Sequence, residues 1–454
     1  MYWNELNPQK RNVSFKFDNS DLKKHKDRIL VRIKRKVFHF IHLFFSSSNI
    51  HGFNHLTDET RHFTEKFVWA IAIGLSIYGS TILGSSTWTR YQENPTVISM
   101  DREYREWATA FPAVTLCPTS EVDVEEFEKL MNSSKFINFN EDDRESFRNF
   151  MNLLSNASYE TFKDVPEDNR IQPEDYLDYV KLLSTNISYI ISNSHVNMFP
   201  SFSLLQTITE LGICYSYNGE ITPYNDYEYW ITRNKSKIPS KGIMSGSPLD
   251  GDIFVQITSM NFGYMGFLHS SYEVPDIACR IHSSPENFYK TLDVTALSIY
   301  STPEVKDLTP KQRGCRFLNE SNLEISPAVY TYNMCRIQCR MKQANKLCGC
   351  VPFYYKPLDK YKICDVKGMH CLDQYKEFLV NLRNASGVKV NCGCLPPCDD
   401  VNYIVEADNT IQWFLGTNLK WGLIKYPRMR LKRNVLFGFT DVLGKISFGK
   451  CYFK

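Results

Sequence analysis

The chain has 454 residues, 43% of them hydrophobic, with 53 Lys and Arg against 50 Asp and Glu. A formal net charge of +3 is too balanced for a general nucleic-acid binder, and the length leaves room for more than one domain around a buried core. Fourteen cysteines exclude a reducing compartment for most of the chain, since thirteen lie between Cys117 and Cys398 and none precedes Cys117.

In chain order, the first feature is a basic cluster, "KKHKDRILVRIKRK" from Lys23 to Lys36. It reads as a solvated face able to touch anionic lipid. No nucleic-acid-reading module lies nearby, so nucleic acid is not an expected partner. The segment Phe67–Thr89 then runs for 23 residues without a charge. At ~1.5 Å per residue it makes ~35 Å of helix, enough to cross a ~30 Å hydrocarbon core. Trp69 and Trp88 stand near its ends, where indole rings favour the interface. The run starts too far into the chain for a cleaved signal peptide. Ala72, Ser76, Ser80 and Gly84 recur at i, i+4 and form a small-residue face on which another helix can approach closely in lipid.

Charges next to this span do not decide its direction: Arg61 and Lys66 precede it, and Arg90, Arg102 and Arg105 follow. The upstream cluster favours a cytosolic N-terminus. Six N-x-Ser sequons, at Asn132, Asn156, Asn186, Asn234, Asn319 and Asn384, share the cysteine-rich side and favour its exposure outside the cell. A seventh, at Asn12, is expected to stay unused. The expected organisation is a cytosolic region 1–66, a transmembrane helix 67–89, an extracellular domain 90–434 and a tail 435–454. The expected location is the plasma membrane.

Beyond the span there is no internal repeat and no low-complexity linker. The runs "GDIFVQITSM" and "TLDVTALSIY" read as strands, and the stretch from Ser120 to about Asp178 as helices with loops. The fold class is therefore α+β. Ten cysteines crowd Cys315–Cys398: Cys315, Cys335, Cys339, Cys348, Cys350, Cys364, Cys371, Cys392, Cys394 and Cys398. Structural zinc favours C-x2-C pairs, whereas both close pairs here are C-x-C, so disulfides are the better reading. Cys335 and Cys339 on a helix share a face ~6 Å apart. Cys392 and Cys394 on a strand also share a face, ~6.6 Å apart. Matched rises suggest two rungs, Cys335–Cys394 and Cys339–Cys392, with Cys315–Cys398 outside them. The inner cysteines then close as Cys350–Cys364 within Cys348–Cys371. Spacing alone leaves many other connectivities open.

Several stretches resemble the degenerin/epithelial sodium channel family, within it the insect pickpocket branch. They are "FFSSSNIHGFNHL" before the span, "WTRYQENPTVISMDREYREWATAFPAVTLCP" after it, "TELGICYSYNG", "LTPKQRGCRF" and the ten-cysteine series. The resemblance covers about residues 40–443 and implies the nested pairing above, with Cys117–Cys214 added. It implies gating roles for His51 and Gly52. It also implies a hand-like ectodomain with a β-rich palm and helical finger and thumb, the thumb being the laddered stretch 315–398. Assembly would be a homo- or heterotrimer in membrane lipid, with sodium as the permeant ion, block by amiloride, and no cofactor or metal. The chain departs from the family in the unpaired Cys279 and in the absence of tryptophan from "TPKQRGC".

The third departure is the tail. "LKRNVLFGFTDVL" is similar to the family's approach to a second membrane helix, but "GKISFGKCYFK", which includes Cys451, follows. Nine residues, Val435–Leu443, fall far short of the ~20 a span needs, so the second helix is expected to be absent from this sequence. The leading functional expectation is a subunit of an amiloride-sensitive, sodium-selective channel. The alternative is a truncated single-span subunit that assembles with full-length relatives and does not conduct. An ectoenzyme is disfavoured because G-x-S-x-G, H-E-x-x-H and P-loop motifs are all missing. His195, His269, His282 and His370 are isolated in sequence and nominate no proton sensor.

Overall fold

The computed structural model describes residues 19–47, 53–58, 60–102, 107–119, 121–194, 203–232, 242–384, 386–436 and 438. It divides into two compact units, Met1–Pro95 with Phe437–Lys454, and Thr96–Leu436. The expectations for Asn12, His51, Gly52, His195, Asn234, Cys451 and the tail beyond Leu436 lie outside the described residues, apart from residue 438.

The described part of the first unit is helical: α1 (Asn19–Ser47), α2 (Phe53–Thr57) and α3 (Phe63–Glu93). His62 starts α3 by accepting the Thr64 N–H. Among the described residues α3 is the one helix long and apolar enough to cross a membrane. Phe67, Leu75, Ile77 and Leu83 are exposed around its whole circumference, the distribution of a helix whose solvent is lipid.

The second unit mixes helices and sheet. Its seven-stranded sheet holds β1 (Thr96–Asp101), β4 (Ile190–Asn193), β8 (Ile253–Met260), β11 (Phe288–Ser301), β12 (Asp400–Gln412), β13 (Thr417–Lys425) and β14 (Arg430–Val435). The order is β1-β14-β11-β13-β8-β4, with β12 also paired to β11. A five-stranded sheet, ordered β10-β9-β3-β6-β5, holds β3 (Ala113–Pro118), β5 (Leu205–Thr209), β6 (Gly212–Tyr217), β9 (Tyr264–His269) and β10 (Ile281–Ser284). Short strands β2 (Thr109–Ala110) and β7 (Ser245–Gly246) pair with each other. The two strand-like runs read from the sequence are β8 and most of β11. In β11, Lys290, Leu292, Val294 and Ala296 are buried in strict alternation, the period of a pleated strand. The sheets close over one core in which Trp421, fully buried, stands edge-on to Tyr217 at 5.4 Å. Its indole N–H donates to the Pro112 carbonyl at 3.1 Å.

Helices α4 (Val124–Met131), α5 (Glu141–Ser155), α6 (Tyr176–Leu182) and α7 (Tyr227–Thr232) form a second core with α9 (Tyr332–Cys348), α10 (Val366–Asp373) and α11 (Lys376–Asn381). The four-residue helix α8 (Pro310–Arg313) leads into the cysteine-rich stretch. Asp123 and Asn140 cap α4 and α5 through their side chains, which explains why the acidic stretch after Ser120 starts two helices rather than one. Phe127, Phe147, Phe150 and Tyr176 bury their rings together, while the glutamates of "DVEEFE" stay on the solvated side.

A buried charged group lies in this core, centred on one arginine. Arg340 on α9 is fully buried, paired with Glu210 and with Asp276 at 3.1 Å. It also donates to the carbonyls of Leu379 at 2.8 Å and Val380 at 3.2 Å. Burial by itself would raise the Asp276 carboxyl, but the Arg340 and Arg336 guanidiniums hold it below the usual carboxylate range. The hydroxyl of Tyr355 donates to Glu210 at 2.5 Å, and Tyr159 lies 3.0 Å from Tyr355.

Candidate coupling site at the base of the disulfide ladder

Six disulfides are formed among the described residues. Cys117–Cys214 staples β3 to β6, whose antiparallel pairing sets Leu116 opposite Tyr215. The other five bind α9 and its surroundings: Cys315–Cys398, Cys335–Cys394, Cys339–Cys392, Cys348–Cys371 and Cys350–Cys364. Cys335 and Cys339 lie one turn apart on α9, and their Cα atoms are 5.7 and 5.6 Å from those of Cys394 and Cys392.

One local expectation is corrected. Cys392 and Cys394 are not on a strand; the segment is irregular, and Gly393 between them has φ +66°. A left-handed residue breaks strand periodicity, and glycine takes that conformation without a Cβ clash. Gly349, in the other C-G-C, has φ +72° and ends α9, turning Cys350 away from Cys348 toward a different partner.

The outermost bridge is the structurally connected one. Cys315 and Cys398 are fully buried and pack with Val305 and Phe317, against Val435 of β14. Arg313, also buried, donates to the carbonyls of Cys315 at 3.1 Å and Leu308 at 2.6 Å, pairs with Glu320, and stacks 4.7 Å over Phe317. Arg433, on β14, donates to the Cys398 carbonyl at 3.3 Å, and its own carbonyl receives Thr302 N–H at 3.0 Å. Burial lowers the Arg433 pKa, and Asp399 works against that shift. Ser301, the last residue of β11, donates through Oγ to the same Cys398 carbonyl at 2.9 Å.

β14 then runs antiparallel to β1, from Arg430 opposite Asp101 to Val435 opposite Thr96. Thr96 follows Asn94, the C-cap of α3, by two residues. At the other end of the ladder, Arg430 stacks 4.0 Å over Tyr300 and 4.4 Å over the buried ring of Trp107. Asp101 accepts the Tyr300 hydroxyl at 2.7 Å and faces Arg430 at 3.5 Å. Burial, followed by the bond to Asp101, raises the Tyr300 phenol. Hydrogen bonds thus join Cys398 through Arg433 to β14, and β14 pairs with β1, the strand that follows α3 in the sequence. Sequence reasoning did not single out Arg430, Arg433, Asp101, Tyr300, Trp107 or the Arg340 group. An arginine in "RLKRNV" carries no local mark of burial, because its partners come from distant strands.

The other sequence-derived residues are placed as follows. On α3, Ala72 and Ser80 are exposed and Ser76 and Gly84 half-buried, with open space beside Gly84 among the described residues. Asn132, Asn186, Asn319 and Asn384 are exposed, and Asn156 is half-buried. Cys279 is free and exposed. His269 is buried, its Nδ1 donating to the Ser270 carbonyl at 2.9 Å and its Nε2 facing Thr115 Oγ1 at 2.7 Å. Burial depresses its pKa to about 4. His282 pairs with Asp408 at 2.9 Å, and His370 meets the Val165 carbonyl at 2.9 Å. No group of three or more His, Cys, Asp or Glu placed to hold a metal occurs among the described residues.

A family model described as "Amiloride-sensitive sodium channel" matches residues 44–447. Among curated proteins, the chain is 25% identical to Pickpocket protein 11 of Drosophila melanogaster over 366 residues, 80% of this chain and 59% of that protein. It is 24% identical to Pickpocket protein 19 of the same organism over 362 residues, 72% of this chain and 68% of that protein. It is 27% identical to Sodium channel protein Nach of Drosophila virilis over 133 residues, 29% of this chain and 33% of that protein. The chain spans about three fifths of the length of Pickpocket protein 11.

Proposed function

The chain belongs to the amiloride-sensitive sodium channel family, whose members are ion channels and not enzymes, and from that premise we propose that it is a subunit of an amiloride-blocked, sodium-selective channel. In this reading residues 1–66 are cytosolic, 67–89 cross the plasma membrane, and 90–434 form a hand-like extracellular domain with 315–398 as its thumb. Residues 435–454 are the stretch at which a second membrane helix would begin. The subunit assembles as a homo- or heterotrimer with relatives. His51 and Gly52, just before the span, bear on opening.

The observation that supports this reading most directly is the route from Cys315–Cys398 through Arg433 to β14 and β1. A disulfide-braced domain is coupled there to the strand that continues from an apolar helix. A rigid element joined by buried polar contacts to the neighbour of a span can bias a two-state pore. Such a route does nothing for an ordinary tether.

Co-expression with a pickpocket-type relative tests the proposal. The chain is expected at the cell surface with that relative, changing the amplitude of its amiloride-blocked sodium current. Arg433→Met is expected to alter this effect at unchanged surface level. An unchanged current with the chain at the surface, or no association with any such relative, refutes the channel-subunit reading.

A further inference from the structure

α1 has a second character that the channel reading does not use. Ile33, Val37, Phe40, Ile41 and Phe44 recur at i, i+4, i+7, i+8 and i+11, and each is 42–68% exposed. They form one apolar stripe along the helix. Phe38 (72% exposed) and Leu43 (52% exposed) lie beyond Lys34 and Lys36, outside the stripe. Arg32, Arg35, His39 and His42 follow the opposite face, with Lys34 and Lys36 between the two. From Arg32 to Phe44 there are four lysines or arginines and no acidic residue.

This surface fits one occupant best. A partner helix asks for a narrow a/d seam with charges of both signs beside it. Here every charge beside the stripe is positive, so a second copy would be repelled. A leaflet rich in anionic phospholipid accepts such an apolar face at its headgroup boundary and attracts the cations beside it. Lys34 and Lys36 can lay their stems along the apolar face while their ammonium groups reach phosphate.

The position of α1 agrees. α1 packs on α2, and α2 packs on α3. His55 of α2 stacks 4.4 Å from Trp69, within the first two turns of α3. A tryptophan near the end of a span marks the interface, so α1 is held at the level where an in-plane helix lies. We propose that α1 is an interfacial membrane helix, its Ile33–Phe44 stripe sunk into the leaflet where α3 begins and retained there by anionic phospholipid. The proposal rests on α3 crossing the membrane, and it extends the channel reading by giving the N-terminal region a lipid ligand.

Spin labelling of the full chain in lipid nanodiscs tests it, with Cys279 and Cys451 replaced by serine. Labels are introduced through Phe40→Cys on the stripe, His39→Cys opposite it and Leu75→Cys in α3. In discs containing phosphatidylserine, the label at 40 is expected to be open to oxygen and closed to a water-soluble nickel reagent, and the label at 39 the reverse. In phosphatidylcholine alone the label at 40 is expected to move toward water. Removing charge with Arg32→Gln, Lys34→Gln, Arg35→Gln and Lys36→Gln together keeps good helix formers. It is expected to lower the docked-to-free ratio roughly fivefold per charge. A label at 40 that stays aqueous in both lipids overturns the proposal. So does one closed to both reagents in both lipids, since a protein surface would then cover the stripe. A Leu75 label outside lipid removes the membrane-span premise itself, which separates that failure from a failure of α1 alone.

Discussion

Arg340→Met is the substitution whose cost the structure specifies most closely. The methionine keeps much of the aliphatic volume on α9 and removes the guanidinium that Glu210, Asp276 and the Leu379 and Val380 carbonyls share. Asp276 retains Arg336 at 2.8 Å and the Ala278 N–H at 2.8 Å. Glu210, 3% exposed, keeps only neutral donors, the Tyr355 hydroxyl and the Ile277 N–H at 3.1 Å. Removing one partner of a buried ion pair costs about 3–5 kcal/mol, because the remaining charge is left without compensation. The unit Thr96–Leu436 has about 340 residues, so its unfolding entropy is on the order of 0.7 kcal/mol per kelvin. The expected fall in Tm is therefore about 4–7 °C, read by tryptophan fluorescence on the full chain in nanodiscs without reductant. Glu210→Gln combined with Arg340→Met should recover part of the loss, since the orphaned charge is gone. Arg340→Lys should fall between, keeping charge but losing the planar fork. A Tm fall under about 2 °C, or strict additivity of the two substitutions, would refute the claim that Glu210 and Arg340 act as a buried pair.

Three further outcomes are expected. His269 is neutral and buried with its pKa lowered to about 4, so the unfolded chain takes up its proton first as pH falls below ~6.5; stability drops between pH ~6.5 and ~4 by up to about 3 kcal/mol. His269→Gln should flatten that part of the stability–pH curve, and a variant with the same slope as the parent would show that His269 is not the source. Replacing Cys315 and Cys398 together by serine opens a bridge spanning 83 residues, a loss of about 4 kcal/mol by loop entropy; equal melting temperatures without reductant would contradict it. Among the described residues Asn132, Asn186, Asn319 and Asn384 are exposed acceptors in the second unit, so glycosidase should lower the apparent mass, and an unshifted band would count against that unit facing outside the cell.

The sequence was most legible where periodicity or spacing acts locally. The uncharged run became α3, the β-branched runs became β8 and β11, and the i, i+4 cysteines of "CRIQC" took one face of α9. The segment holding Cys392 and Cys394 was misread because alternating side chains suggested a strand. A single glycine at φ +66° reaches the same spacing without one. Long-range polar contacts were invisible altogether. Arg340 gathers partners 64 and 130 residues away in sequence, and neither Glu210 nor Asp276 sits in a pattern that announces a buried charge. The Arg430–Tyr300–Trp107 stack also joins three separate segments. No window along the chain contains it.

These two kinds of contact also divide the labour of the fold. The disulfides make α9 and its loops rigid, but rigidity alone moves nothing. Motion must leave the ladder through weaker bonds, and Cys398 is where covalent and non-covalent links meet. Its sulfur is bridged to Cys315, while its carbonyl is shared by Arg433 at 3.3 Å and the Ser301 hydroxyl at 2.9 Å. Each such hydrogen bond contributes only about 1 kcal/mol net, low enough to break and re-form between two arrangements. β14 cannot slide along β1 by one residue without inverting the faces of every paired side chain from Thr96 to Asp101. The strand pair therefore responds to a pull at Arg433 as one body. It carries that pull to Thr96, the first residue of β1, which follows the C-cap of α3 by two positions in the sequence.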